Sequence, residues 1–341
     1  MKKIATSEAI GHVLCHDITR IIKDEVKDTP FRKGHIVRKE DIPKLLALGK
    51  EHLYIWEKSE GMLHENEAAD ILYRVCKNQN MSGTEVREGK IEIIADIDGL
   101  FRVDLDILNK INELEDIMIA TRHGNSHVKK GDKLAGTRII PLIIEKEKMD
   151  KVTKIAGNTP ILELIPYKLK TVAIITTGSE VYHKRIEDTF TPVIVDKLKA
   201  FGIKLIYHKI VDDNISEILQ AIKEARNTGA HMILCTGGMS VDPDDLTPGA
   251  IKESGASIVT YGAPVLPGAM FLLGYFEDGT PIMGLPGCVM YAKATIFDLI
   301  LPRVVAGVNL NKKDISVMGH GGLCLGCSEC TYPKCSFGKG I

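Results

Sequence analysis

Apolar positions change their rhythm part-way along the chain. Up to about residue 60, short apolar runs alternate with turn signals, and Phe31–Val37 reads as a turn into a strand. Asp41 and Pro43 predict the start of a helix carrying Leu45, Leu46 and Leu48 and closing at Gly49, followed by a strand over His52–Trp56. Ala68, Ala69, Ile71, Leu72 and Val75, spaced three and four apart, predict a helix over residues 64–78. Residues 83–145 read as strand-rich, with runs at 89–94, 99–103, 117–121 and 139–144 and a hairpin or turn over 128–136. Residues 146–166 are charged, carry Gly157, Pro160 and Pro166, and read as an ordered connector.

From Leu169 onward strands alternate with helices. Thr171–Ile175, Met232–Cys235 and Pro281–Gly284 are apolar runs of strand length, as are Ser257–Tyr261 and Phe271–Tyr275. The turn Glu277-Asp-Gly-Thr280 joins the last of these to Pro281 as a hairpin. Thr191-Pro192 opens a helix with Ile194, Val195, Leu198 and Phe201 on one face, closed by Gly202. Asp213 is expected to cap a second helix bearing Ile215, Ile218, Leu219 and Ile222. A third is expected to follow Gly287, carry Met290, Ala294, Phe297 and Ile300, and stop at Pro302. The fold class is α/β: a three-layer, mostly parallel sheet domain preceded by an α+β, β-rich region. The expected organisation is a small α+β region (1–80), a β-rich subdomain (81–150), the α/β domain (168–308) and a cysteine-rich tail (319–341).

Composition narrows the function. The chain has 341 residues, is 44% apolar and 26% charged, and carries a net charge of -1. That balance argues against nucleic acid or an anionic membrane as partner. No apolar run approaches the roughly 20 residues of a membrane helix, and no apolar segment follows Met1-Lys-Lys to suggest a secretory signal. A cytoplasmic, reducing location is expected, so the eight cysteines read as thiols or metal ligands before disulfides.

The chemistry gathers at three glycine turns, each just after a strand: Thr177-Gly178-Ser179-Glu180, Thr236-Gly237-Gly238-Met239-Ser240, and Leu285-Pro286-Gly287. Ligands of open α/β sheets bind outside the carboxyl ends of strands, and backbone N–H groups gathered there receive anions. Glu180 follows the first turn, and Asp242, Asp244 and Asp245 follow the second. A carboxylate beside a phosphate is repulsive unless a cation bridges them, so the pairing points to a phosphorylated ligand with Mg²⁺. Ser240 can hydrogen-bond such a ligand, and Asp242 and Asp245 can hold the ion. As plain alternatives, the second turn is a strand-to-helix connection with Asp as cap, Glu180 a solvated acid, and Asp188 a turn residue. Pro267-Gly268 and Pro286-Gly287 flank the hairpin, and Cys288 stands at an expected helix start, which would lower its thiol pKa.

The tail carries Cys324, Cys327, Cys330 and Cys335, spaced C-x₂-C-x₂-C-x₄-C among glycines. The spacing suits a Cys₄ site for Zn²⁺ or an iron–sulfur cluster. A sulfur-transferring thiol arm and a disulfide knot are the alternatives.

The block Leu169–Ala306 resembles the molybdopterin-binding domain of molybdenum-cofactor biosynthesis proteins, with its closer likeness to molybdopterin molybdenumtransferase. Thr177-Gly-Ser-Glu180, Thr236-Gly-Gly-Met-Ser240 with Asp245, Pro267-Gly268 and Leu285-Pro-Gly287 carry the likeness. The resemblance implies binding of molybdopterin or its adenylylated form, and Mg²⁺-dependent insertion of molybdate with release of AMP. It makes Glu180 and Asp245 the acidic site residues and places Gly237, Gly238 and Ser240 against the pterin or its phosphate. Asp188 matches an acidic position of the family. Ala269 stands where the family usually has a basic residue, and Cys288 where it has asparagine. The front half lacks the transferase's Ser-Ala-Met-Asp-Gly-Tyr-Ala run, and the cysteine tail stands in place of its C-terminal β-domain. A non-catalytic carrier that delivers cofactor or sulfur to a client molybdoenzyme is the second reading. A nucleotide pyrophosphatase is the third, because related domains occur in such proteins. A homo-oligomer is expected.

Overall fold

Val172 and Ile174 pack into one apolar cluster and Ala173 and Ile175 into another, all four fully buried. A strand buried on both faces is an unbroken apolar run, because helices cover both sides of a parallel sheet. This strand is β1 (Thr171–Thr177) of a computed structural model that describes residues 2–22, 26–55 and 60–340. The other strands of its sheet are β2 (Lys204–Val211), β3 (Met232–Thr236), β4 (Ser257–Tyr261), β5 (Leu272–Tyr275) and β6 (Pro281–Leu285). They lie in the order β2-β1-β3-β6-β5-β4. β1 runs parallel to β2 and β3, and β3 parallel to β6. β5 is antiparallel to both β6 and β4.

The helices that cover the sheet are α1 (Phe190–Lys199), α2 (Ile215–Asn227), α3 (Thr247–Glu253) and α4 (Ile296–Val305). Ile194 and Leu198 of α1 and Phe297 and Ile300 of α4 cover the face of Val172 and Ile174. Ile218 and Ile222 of α2 and Ile251 of α3 cover the opposite face. The α/β, three-layer, mostly parallel arrangement expected from the sequence is the one found.

Three expectations need correction. The cap of α2 is Asn214, whose side chain accepts from the amides of Ser216 and Glu217 at 2.9 and 3.3 Å. Asp213 turns instead to the amide of Ser179, at 2.8 Å. After Gly287 the chain makes only a 3₁₀ turn, Gly287–Met290, and α4 begins at Ile296 under a Thr295–Asp298 capping box. Pro302 does not stop α4, which continues to Val305. A proline inside a helix deprives the carbonyl four residues back of its donor. Here that carbonyl belongs to Asp298, and it accepts the Tyr332 hydroxyl at 3.3 Å.

The chain divides into two compact units, residues 1–97, 101–124 and 129–164 forming one and residues 98–100, 125–128 and 165–341 the other. In the first, Lys2–Ala5 pairs antiparallel with His52–Ile55, and a small core gathers Leu14, Ile18, Phe31, Val37, Leu45 and Leu53. The expected strand end at Trp56 lies outside the described residues. A second sheet orders Met81–Gly83, Lys90–Ala95, Lys133–Ile139 and Ile117–Thr121, all antiparallel. The run expected as one strand over 139–144 is broken at Pro141: one strand ends at Ile139 and another begins at Ile143. Two helices stand where none was expected, Leu105–Asn112 and Lys146–Ala156. The helix over 64–78 forms as Glu65–Cys76, capped by the His64 side chain. Among the described residues no helix is long and apolar enough to cross a membrane.

Glu65 in the first turn of that helix is only 6% exposed. Burial pushes its carboxyl up to about 7, with Glu88 and Asp17 adding to the rise and Lys33 and Arg138 opposing it. Because the folded value lies above the ordinary 4.5, the unfolded chain loses this proton first as pH rises. The Glu65 contribution to stability is therefore full below about pH 4.5 and is lost by about pH 7, a fall of at most about 3 kcal/mol. Glu65→Gln is expected to flatten this window and to raise stability at about pH 8 relative to the parent. Urea denaturation at both ends of the window measures it; parallel pH profiles for the two proteins would refute the assignment.

Candidate functional site

β2, β1, β3 and β6 end side by side. Thr177 pairs with Val211, Thr176 with Thr236, and Thr236 with Leu285. The three glycine turns therefore leave the same edge of the sheet, the carboxyl edge where ligands of this architecture bind. The first two turns touch backbone to backbone. Gly237 has φ +83°, and a Cβ there would lie 2.0 Å from the Thr177 carbonyl oxygen. Beside it the Thr177 and Thr247 hydroxyls are 3.0 Å apart, and the Thr247 amide donates to the Gly238 carbonyl at 3.3 Å. From the edge strand β4, the Tyr261 hydroxyl reaches the carbonyls of Met239 and Ser240 at 3.0 and 2.9 Å. The second turn is thus held from both sides.

The polar groups of these turns divide into those the protein already uses and those it leaves open. Thr177 is buried and its hydroxyl is spent on Thr247. The Ser179 amide goes to Asp213 and the Asp242 amide to the Asp245 carboxylate at 2.9 Å. Glu180, Ser240 and Gly287 are exposed, and Asp245 is half-buried. The Thr236 hydroxyl, at the foot of the second turn, is buried with no hydrogen-bond partner among the described residues. Such a group awaits a ligand atom or a water.

The acids are unevenly placed. Burial pushes the Asp213 carboxyl up against the Ser179 hydrogen bond, and the neighbouring Glu180, Asp212 and Asp244 carboxylates add to the rise. Glu180 and Asp244 thus share one neighbourhood with Asp212 and Asp213. Asp188 sits apart from them. It accepts from the amides of Phe190 and Thr191 at 2.9 and 3.0 Å, and so starts α1. Burial tends to raise its carboxyl, but the hydrogen bonds from Thr191 and Phe190, with His208 nearby, outweigh this and hold it below the ordinary range. His208, Thr176 and Thr191 complete that knot at 3.1–3.2 Å.

Asp212 and His208 carry no role in the sequence reading, and Asp213 is read there only as a helix cap. They belong to or follow β2, an edge strand whose lysines and histidine hide its strand character. The signal was Val211 followed by Asp212-Asp213-Asn214, a further turn at a strand end.

Pro267 and Gly268 lie against α4. Gly268 is buried with φ +125°, its α-carbon facing Ile296, and the Pro267 carbonyl accepts the Ile296 amide at 3.2 Å. Pro286 is buried. Cys288 is half-buried in the 3₁₀ turn, and burial pushes its thiol up, with Asp298 adding to the rise. The lowered thiol expected at a helix start is thus reversed, because no helix of useful length begins there. Cys324, Cys327, Cys330 and Cys335 all line one cavity with Pro267. Among the described residues no group of three or more His, Cys, Asp or Glu is disposed to hold a metal ion.

Residues 173–306 match the family described as a probable molybdopterin binding domain, and residues 3–57 match a domain of unknown function. The α/β unit thus carries a domain of the molybdopterin-binding family. The molybdopterin molybdenumtransferase of Staphylococcus epidermidis is 24% identical over 306 residues, which span 83% of this chain and 66% of that protein. A putative competence-damage inducible protein of Bacillus thuringiensis is 36% identical over 93 residues, 27% of this chain and 22% of the relative. The chain therefore spans a little under two thirds of the first relative and far less of the second. Among solved structures, the tungsten cofactor synthesizing protein MoaB from Pyrococcus furiosus is similar at 24% identity, with a TM-score of 0.34 over 40% of this chain and 93% of that one.

The contact between the turns gives a sharp contrast. Gly237→Ala forces a Cβ into the Thr177 carbonyl at a positive φ and is expected to cost at least about 2 kcal/mol. Gly287→Ala meets nothing within 4 Å and is expected to stay within about 0.5 kcal/mol of the parent. Denaturation midpoints of both variants check this; a harmless Gly237→Ala would show that the two turns are not packed as described.

Proposed function

We propose that the α/β unit binds molybdopterin, or its adenylylated form, at the carboxyl edge of its sheet, and that the protein serves a late step of molybdenum-cofactor biosynthesis. The observation that carries the reading is the direct packing of the Thr177 and Gly237 turns within a domain of the molybdopterin-binding family. The unpartnered Thr236 hydroxyl supplies an open hydrogen-bonding group at the foot of that wall. The likeness to a molybdopterin molybdenumtransferase supports the choice of step.

In this reading Gly178, Ser179, Gly237, Gly238 and Ser240 face the ligand through backbone and hydroxyl groups, and Asp242 and Gly287 lie on the rim. Glu180 and Asp245 hold Mg²⁺. The donor set fits: Mg²⁺ takes one or two carboxylates and completes its sphere with water and substrate phosphate oxygens. A protein cage of three carboxylates is therefore not required of the polypeptide. Bound there, the ion would neutralise phosphate charge at an adenylyl phosphoanhydride. The crowd of Glu180, Asp212 and Asp244 around Asp213 makes the mouth electronegative, so phosphate and molybdate enter only with cations. The product passes to a client molybdoenzyme.

The expected result is Mg²⁺-dependent AMP release from adenylylated molybdopterin in the presence of molybdate, reduced by at least about a hundredfold in Glu180→Gln and Asp245→Asn. Undiminished release in both variants would remove these residues from the chemistry.

Ala269 and Cys288, in place of the cation and amide of the resembling family, favour a second reading. An anion site without those two groups grips less strongly through charge-assisted hydrogen bonds, which suits a carrier that hands its cofactor on. Molybdopterin retained through native mass spectrometry, with no AMP released by the parent protein, selects the carrier. Absence of pterin affinity rejects both readings.

A further inference from the structure

The thiols of this chain fall into distinct populations. Cys15, Cys76 and Cys235 are buried, and burial pushes the thiols of Cys76 and Cys235 up to about 12. Such groups pack as small apolar side chains and stay inert. Cys327 and Cys330 are exposed, with only Ser328 and Glu329 between them at a bend of the chain. Both line one cavity of about 230 Å³. The segment that carries them is fixed at both ends. Leu266 donates to the Gly322 carbonyl and accepts from the Cys324 amide, each at 2.8 Å. Gly338 donates to the Gly321 carbonyl at 2.9 Å, closing the base of the loop. Phe337 is buried in the α/β core, and Cys324 and Cys335 pack partly against the same core.

The backbone beneath the two outward thiols is thus held by the core, while the thiols themselves meet solvent. Accessible thiols two residues apart can act in turn, one opening a disulfide and the other resolving it. The cavity beside them says what kind of disulfide fits. Pro267, Ala292, Ala294, Leu325 and Phe337 make much of its wall apolar. Lys293, itself exposed, is the one charged residue among the described lining residues. A substrate with a small apolar body and a negative group matches that lining.

We propose that Cys327 and Cys330 form a dithiol exchange site that reduces small aliphatic disulfides bearing a carboxylate. The thiolate of one cysteine attacks a substrate sulfur, forms a mixed disulfide and expels one substrate thiolate. The thiolate of the other then attacks the protein sulfur of that mixed disulfide. The Cys327–Cys330 bond closes and the second substrate thiolate leaves. The cysteine pair gives up two electrons and the substrate disulfide takes them. The two protons released by the cysteines are balanced, through solvent, by the two that the substrate thiolates take up. The apolar body of the substrate enters the cavity beside Pro267, and its carboxylate meets Lys293. The substrate disulfide is the only oxidant the step needs, and an excess of thiol runs it backward.

The test mixes the full chain, reduced and then freed of reductant without air, with dithiodipropionate, and follows intact mass. The parent is expected to lose two hydrogens, retain no adduct and release two thiols, with fragmentation placing the new bond between Cys327 and Cys330. Cys327→Ser and Cys330→Ser should each stall as a mixed disulfide on the remaining cysteine while keeping the parent's melting temperature, since both side chains are exposed. Against the neutral hydroxyethyl disulfide, the rate preference for dithiodipropionate should fall at least about threefold in Lys293→Met. A parent that keeps the adduct, closes a different pair or does not react while folded overturns the dithiol site. A preference unchanged in Lys293→Met overturns the carboxylate as the recognised group. None of these readouts involves pterin, so they are independent of the function proposed for the sheet edge.

Discussion

The contact on which the rest depends is one carbonyl oxygen lying against one α-carbon. Thr177 and Gly237 end neighbouring parallel strands, and the strands stay in register up to that point. Parallel pairing fixes the ends of β1, β3 and β6 relative to each other as surely as it fixes their middles. Only glycine lets the second turn close over the first. Once closed, the loop carrying Ser240, Asp242 and Asp245 is set by Tyr261 from one side and Thr247 from the other. The edge is therefore a prepared surface whose shape is settled by the backbone.

Its electrostatics are less simple than the glycines alone suggest. Turns of this kind present amides to an anion, but two of these amides already have anions: Asp213 on Ser179 and Asp245 on Asp242. The polypeptide supplies its own stand-ins for the incoming charge. On the function proposed above, a phosphate arriving there would either use the amides left over or displace a carboxylate, which would then be free for the accompanying cation. Asp213, half-buried and crowded by acids, is the one most easily persuaded to move or to take up a proton.

Much of this was legible in the sequence, and the limits have physical causes. β1, β3 and β6 announced themselves because strands buried on both faces are continuous apolar runs. β2 did not, because Lys204, His208 and Lys209 interrupt the apolar run of this edge strand. The helix Leu105–Asn112 has its own cap, Asp104, and an apolar spacing in Leu108 and Ile111, but strand-like runs on either side obscured it. Pro302 misled because a proline's effect on a helix depends on what else can satisfy the freed carbonyl, and that partner lies thirty residues on in the tail. The glycine positions of the site could be read one by one. The pairing of Asp213 with Ser179, or of Asp188 with His208, could not, since each joins segments that only the sheet brings together.

Asp298 faces three ways at once. Its carboxylate caps α4 at Thr295 and pairs with Lys197 of α1 at 2.6 Å, while its carbonyl holds Tyr332. The thiol-bearing loop thus hangs from the same residue that starts the helix beneath Pro267 and ties the two helices of that layer together. Prying the loop away would strand a carbonyl inside the helix and strain the very joint that steadies the far rim of the sheet edge. What looks in the sequence like an appendage is, mechanically, a keystone set into the arch it seems to decorate.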